Sequence, residues 1–283
     1  MKLLIIGVSG LLGSSLVRRL VDGYEVVTVT RNSNESDFQV DMSDEDACLK
    51  LLEHVKPDVI INLAAVTSVD LCEENISLAY RVNTGIPENL KKYEKGRDAF
   101  IIHISTDHFY NQEKSDESQV IIINNYAMTK YAGELALQGS NAVILRTNFF
   151  GYSHSGISQG LCSDIYLKAR NKEHLNLFED VFFSPLSIKK LCDVIKLCIT
   201  KQIKGTFNVG SHGAMSKKEF LMCFLQNTGI EGFEYSSVLL SDLNLKVSRP
   251  YNMSMKLDKF EKAYKFNLPN LKEEIEDVAN EFK

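Results

Sequence analysis

The tightest constraint on this chain lies in its first thirteen residues. The apolar run 3–6 leads straight into Gly7-Val8-Ser9-Gly10-Leu11-Leu12-Gly13, and residues 11–21 then carry apolar side chains at helical spacing. A strand that breaks at glycine and turns at once into a helix opens a βαβ unit. Within it, one glycine makes the tight turn, one lets a pyrophosphate approach the backbone, and one packs helix on strand. The helix N-terminus supplies N–H groups and positive potential. A glycine triplet alone says little, but in this strand–helix context it predicts a dinucleotide site at Gly7, Gly10 and Gly13.

The rhythm continues in the first half. Residues 25–30, 59–62, 100–104 and 142–145 read as strands, rich in Val and Ile. Between them, 43–55 (capped by Ser43), 77–83, 87–95 and 126–138 read as helices. This alternation predicts an α/β fold, with residues 1–148 forming a Rossmann-type, doubly wound parallel sheet that binds NAD(P). After Arg146 the pattern loosens. Residues 151–160 read as a mobile loop, and helices are expected near 162–170, 188–200, 216–228 and 271–282, with strands near 175–178 and 206–209. Residues 149–283 are therefore expected to form a smaller C-terminal α/β substrate-binding lobe, some of whose segments return to the first domain. The substrate cleft is expected between the lobes.

Composition narrows the function class. A net charge of −5 argues against a general nucleic-acid binder. The apolar start is only four residues before a glycine, and no stretch is long enough for a membrane span, so a cytoplasmic protein with no membrane partner is expected. Six scattered cysteines at 48, 72, 162, 192, 198 and 223 lack zinc-site or paired-motif spacing and read as small buried hydrophobes, with no metal site expected. A homodimer is the default symmetric assembly.

Two further features carry chemistry. The second strand ends Thr30-Arg31-Asn32-Ser33, with no acid until Glu35. An acid there suits the ribose of NAD, whereas Arg31 suits a 2′-phosphate, so NADP(H) is preferred and NAD(H) remains possible. Tyr126 and Lys130 stand four apart on one helix face. The lysine can hold the nicotinamide ribose and lower the pKa of the phenol, which then serves as general acid or base. Upstream, Ser105-Thr106-Asp107 closes a strand, and a hydroxyl there can bond the same substrate oxygen as Tyr126.

Taken together, these motifs resemble an extended short-chain dehydrogenase/reductase, and within that superfamily the dTDP-4-dehydrorhamnose reductase group. The resemblance runs through the glycine turn, Pro57 to Ala65, Val69-Asp70, Ala79 to Asn83, His103 to Asp107, Tyr126 to Glu134, Leu145-Arg146-Thr147, Phe183-Ser184-Pro185 and Arg249-Pro250-Tyr251-Asn252. It implies a catalytic triad of Thr106, Tyr126 and Lys130. It also implies pyrophosphate contacts at Gly10, Leu11 and Leu12, an adenine-side pair at Asp41 and Met42, and a turn under the cofactor at Leu63, Ala64 and Ala65. Ile104 belongs with the cofactor contacts, and Asp107 and Phe149 with the sugar nucleotide. Arg249 is a further candidate for its diphosphate, since a guanidinium suits phosphate oxygens.

The implied activity is reduction of the C4 ketone of a nucleotide-linked 4-keto-6-deoxy sugar. Where the group usually carries Tyr-Val-Phe after Ser-Thr-Asp, this chain has His108-Phe109-Tyr110. Ile123-Asn124-Asn125 replaces a Pro-x-Asn, and Phe149 stands where Trp is common. These departures leave the sugar unspecified. His103 reads as structural, and His108 as a neighbour of the triad that could touch substrate. The alternatives are an epimerase or dehydratase that retains NAD, and a non-catalytic subunit similar to the regulatory β subunit of methionine adenosyltransferase, which resembles the same family.

Overall fold

The computed structural model describes residues 1–32, 36–152 and 160–283. Most of the loop expected over 151–160, and Glu35, lie outside the described residues.

In chain order the elements begin with β1 (Lys2–Ile6), α1 (Leu11–Leu20), β2 (Glu25–Thr30), β3 (Phe38–Gln39), α2 (Glu45–Val55) and β4 (Val59–Asn62). Next come α3 (Val69–Glu74), α4 (Ile76–Tyr80), a π turn at Arg81–Gly85, α5 (Ile86–Glu94), β5 (Phe100–Thr106), α6 (Asn125–Ala136) and β6 (Ala142–Thr147). β7 (Phe149–Phe150), α7 (Leu161–Arg170), β8 (Leu175–Phe178), β9 (Phe182–Phe183), β10 (Leu186–Ser187) and α8 (Ile188–Lys201) follow. The chain ends with β11 (Gly205–Val209), β12 (Met215–Ser216), α9 (Lys217–Thr228), β13 (Tyr235–Val238), α10 (Asp258–Tyr264) and α11 (Leu271–Asn280).

Seven strands form one sheet in the order β11-β6-β5-β4-β1-β2-β3. β1 pairs in parallel with both β2 and β4, and β4 with β5, so Leu4 stands opposite Val27 on one side and Ile60 on the other. Continuous apolar strands are what a sheet buried on both faces requires. β1 from Leu3 onward and all of β4, β5 and β6 are buried. The Rossmann-type α/β architecture is the one expected. β5 and β6 each run two residues beyond the expected ends, which puts Thr106 on the strand itself. β11 joins the large sheet at its edge beside β6.

The residues cluster into two compact units. The first is residues 1–106, 122–146 and 192–207; the second is 107–121, 147–191 and 208–283. In the first, Ile60, Ile101 and Ile144 of the sheet pack against Leu51 and Leu52 of α2 and Leu90 of α5. In the second, Phe150 and Phe183 meet Phe220 of α9 edge-on at 4.8 and 5.0 Å, the geometry aromatic quadrupoles favour. Leu271 and Ile275 of α11 complete that core.

Local chemistry explains several boundaries. Ser43 is not the cap of α2: its hydroxyl donates to Asp41, while Asp44 accepts from the Ala47 N–H and starts the helix one residue later. The stretch expected as one helix over 77–83 is instead α4 followed by the π turn, and α3 precedes both. A capping box of Ser216 and Glu219 opens α9, as the Ser-x-x-Glu spacing requires. All six cysteines are free thiols, five of them buried. Among the described residues no helix is long and apolar enough to cross a membrane.

Candidate active site

The glycine turn has the geometry of a phosphate-approach site. Gly7 adopts φ +90°, and a Cβ there would meet the Ala64 nitrogen at 2.9 Å. A Cβ on Gly13 would fall 2.6 Å from the Val8 Cα. These two glycines are demanded by the fold. Gly10 is different: its Cβ position is open, with only the Gly7 carbonyl nearby at 3.6 Å. Gly10 also stands at the start of α1 without contributing a side-chain cap. The first amides of a helix need an acceptor, and here the backbone surface beside them is bare. A Cβ at Gly10 would occupy that space. The site therefore fits a pyrophosphate.

The neighbouring turn is fixed from below. Leu63 donates to the Ile6 carbonyl, and the Asn62 carboxamide accepts from the Ala64 N–H at 3.1 Å. That leaves the Asn62 amino group to donate to His103 Nδ1 at 3.1 Å, so the buried imidazole carries its proton on Nε2. Burial, then the nearby Lys130 charge, holds the His103 pKa well below the ordinary value. His103 is neutral and structural in this setting.

Asn83, on the π turn, accepts from the Val66 N–H at 2.8 Å and donates to the Val66 carbonyl and to Thr129 Oγ1, each at 3.1 Å. It ties the turn after β4 to α6. A π turn at a functional site is a recurring association, but no local periodicity in the sequence marked it.

At the far end of β2, Arg31 is exposed and Asp41 is held at a lowered pKa. Burial raises it, but hydrogen bonds from Ser43 outweigh that, helped by the charges of Arg81 and Arg31. Arg81 is thus a second cation near Asp41, which sequence reasoning passed over because it lies forty positions downstream. The carboxylate of Asp37 turns back to accept from the Thr28 N–H and hydroxyl. Met42 is buried, and its carbonyl accepts from Asn89.

Tyr126, Lys130 and Thr106 all belong to the first unit. Asn124 caps α6 by accepting from the Ala127 N–H at 2.8 Å, so the replacement for Pro-x-Asn still fixes where the helix starts. Tyr126 then lies in its first turn and Lys130 one turn on. The Lys130 ammonium donates to the Ile104 carbonyl at 2.8 Å, two residues before Thr106 at the end of β5. Thr106 and Tyr126 are 4% and 8% exposed, at the edge of the interior. Burial lowers the Lys130 pKa to about 8, against opposing effects of Glu134 and Cys72.

In the second unit, Asp107 is buried and accepts from the Asn148 amide at 3.0 Å. Phe149, half-buried, pairs through β7 with Leu186. His108 and Arg249 are half-buried.

A family model described as the RmlD substrate binding domain matches residues 1–283, the entire chain. The chain belongs to this family. The RmlD-family chain is 30% identical over 258 residues to the spore coat polysaccharide biosynthesis protein SpsK of Bacillus subtilis, covering 88% of this chain and 87% of that one. A dTDP-4-dehydrorhamnose reductase from Clostridium acetobutylicum superposes with a TM-score of 0.89 at 26% identity over 99% of both chains. That of Bacillus anthracis, solved in complex with NADP, gives 0.91 at 22% identity, again over 99% of both. At that identity the second likeness speaks for the fold.

Proposed function

We propose that this RmlD-family chain is an NADP(H)-dependent reductase of a nucleotide-linked 4-keto-6-deoxy sugar. The observation that carries the reading is the Lys130–Ile104 contact, which seats one face of α6 against the end of β5. That seat supports reading Tyr126, in the first turn of α6, and Thr106, at the end of β5, as the paired hydroxyls of the site. Relatives named as reductases of such a sugar, and a fold neighbour holding NADP, support the assignment.

When bound, the dinucleotide supplies the hydride; the residues of the chain do the rest. Gly10, Leu11, Leu12 and the bare start of α1 would take its pyrophosphate, with Gly7 and Gly13 shaping the turn. Arg31, with Arg81, would face the 2′-phosphate, and Asp41 and Met42 would lie by the adenine. Leu63, Ala64, Ala65 and Ile104 would line the ribose side. Lys130 holds a positive charge below about pH 8 and can reach the nicotinamide ribose while steadying the phenol of Tyr126. Tyr126 delivers the proton to the alkoxide as it forms, and Thr106 shares that hydrogen bond, so charge is met where it develops. Asp107, Phe149 and Arg249 are assigned to the sugar nucleotide.

The test is NADPH oxidation with a panel of 4-keto-6-deoxy sugar nucleotides, comparing wild type with Tyr126→Phe. Turnover by wild type and its loss in the variant are expected. No turnover, or full activity without the phenol, overturns the reading. Product formed with no net cofactor consumption would instead mark an epimerase.

A further inference from the structure

The backbone of the second unit brings two cations to opposite flanks of one short strand. β9 pairs antiparallel with β12, with Ser216 opposite Phe182, while Asn252 bridges Phe182 from the other side. Phe182 donates to the Tyr251 carbonyl at 2.7 Å and accepts from the Met253 N–H at 2.9 Å. Lys217 is the residue after Ser216, and Arg249 lies two before Tyr251. Two adjacent strand spacings separate these flanks, roughly 10 Å of backbone, which long side chains close easily.

The Lys217 backbone is pinned to the Val181 carbonyl at 2.8 Å, and its ammonium sits 6.0 Å from the centre of the Phe178 ring. Among the described residues this half-buried ammonium makes no hydrogen bond or ion pair. Burial lowers its pKa, the Asp107 carboxylate opposes that, and the Arg249 guanidinium adds to it. Burial and the same two cations push His108 down to about 4, leaving it an uncharged imidazole near neutrality. Asp107 also accepts from Asn148. Two fixed positive charges thus face one carboxylate and a neutral ring. A partly dehydrated ammonium without an acceptor is costly, and an incoming oxyanion relieves that cost.

We infer that Lys217 joins Arg249 in a two-pronged site for a phosphate ester, the diphosphate of the sugar nucleotide. The naming of the bearer rests on the reductase reading; the anion site itself rests on the convergence of the two side chains. The guanidinium supplies a planar fork and the ammonium a compact point charge, a pairing suited to the several oxygens of a diphosphate. Arg249 was legible from its motif. Lys217, read from sequence alone, is only the first residue of a helix.

The experiment is calorimetric titration of the NADPH-saturated protein with UDP, dTDP and inorganic pyrophosphate, in wild type, Lys217→Met and Lys217→Arg. Saturation with NADPH first fills the other pyrophosphate site. The Met variant is expected to weaken the tightest of these probes about ten- to a hundredfold, the Arg variant to recover most of it, and NADPH affinity to stay unchanged in all three. Lys217→Gln takes the place of the Met variant if that protein fails to bind NADPH. Unchanged probe affinity without the ammonium, or no binding of any probe by wild type, overturns the site. The keto-sugar panel separates the two claims. A Lys217-dependent diphosphate site in a protein that reduces no keto sugar sinks only the reductase reading, and reduction with undiminished binding in the variant sinks only this one.

Discussion

Arg146 grips Glu134 in a two-pronged ion pair, its Nη2 at 2.6 Å and its Nε at 3.0 and 3.1 Å from the carboxylate oxygens. Both side chains are 4% exposed. The hydroxyl of Ser105 donates to the same carboxylate at 2.5 Å. One acid therefore binds β5, α6 and β6 together, one helical turn beyond Lys130. It fixes where α6 rests on β5, the helix that carries Tyr126 and the strand that ends in Thr106.

Removing that carboxylate strands a guanidinium in the interior. Glu134→Gln is expected to cost about 3–5 kcal/mol in urea unfolding. Glu134→Leu combined with Arg146→Met should regain most of this, since matched apolar groups leave no buried charge. Turnover should remain depressed in the double variant, because the tie to Ser105 is gone. A loss below about 1 kcal/mol in the single variant would contradict the account.

Lys130 titrates near the working range. Its charge is lost as pH rises through about 8, so the rate of carbonyl reduction should fall along an alkaline limb centred there. Lys130→Met should lower the rate and flatten the limb. The same shift has a stability consequence of opposite sense. Between about 8 and the ordinary lysine value of 10.5, the unfolded chain holds the proton that the folded one has released. Stability from this group therefore rises with pH across that window. Melting curves of wild type and Lys130→Met without cofactor, compared from pH 7 to 10, read the difference directly.

The glycines divide by role. Gly13→Ala forces a methyl group to 2.6 Å from the Val8 Cα and should cost about 3 kcal/mol. Gly10→Ala adds a methyl group where the protein has space, so stability should change by about 0.5 kcal/mol or less. Its NADPH affinity should nevertheless drop about tenfold or more. Equal melting losses in the two variants would contradict this division.

Arg31 and Arg81 both act on Asp41. Replacing both by alanine should weaken NADPH about ten- to a hundredfold, the worth of charge-assisted hydrogen bonds to phosphate, while NADH affinity moves little. Parallel fluorescence titrations with the two dinucleotides decide it. A parallel loss for both would remove the 2′-phosphate from the argument.

Much of the fold was legible because its signals are local. The glycine turn, the apolar strands and the Tyr126–Lys130 spacing each declare themselves within a dozen residues, and β2 and β4 fall where their β-branched runs put them. Capping was harder to read: Ser43 and Asp44 are both good caps, and only the engagement of Ser43 with Asp41 decides between them. β3 is two residues long and has no pattern to detect. The place of β11 at the sheet edge, Arg81 beside Asp41, and Lys217 across β9 from Arg249 are set by contacts between distant segments. No window of the sequence contains them.

The π turn at Arg81–Gly85 is in effect one surplus residue carried within a helical path. Deleting that surplus residue would let an ordinary helix run from α4 into α5 with its two ends still in phase, because the wide turn absorbs the roughly 100° that one extra residue adds. Ile86, Leu90 and Tyr93 would keep their places in the core, and the loss would fall on Asn83 and its hold on Val66. The surplus residue thus serves the loop after β4, where Asn83 holds both the N–H and the carbonyl of Val66, rather than the packing of α5.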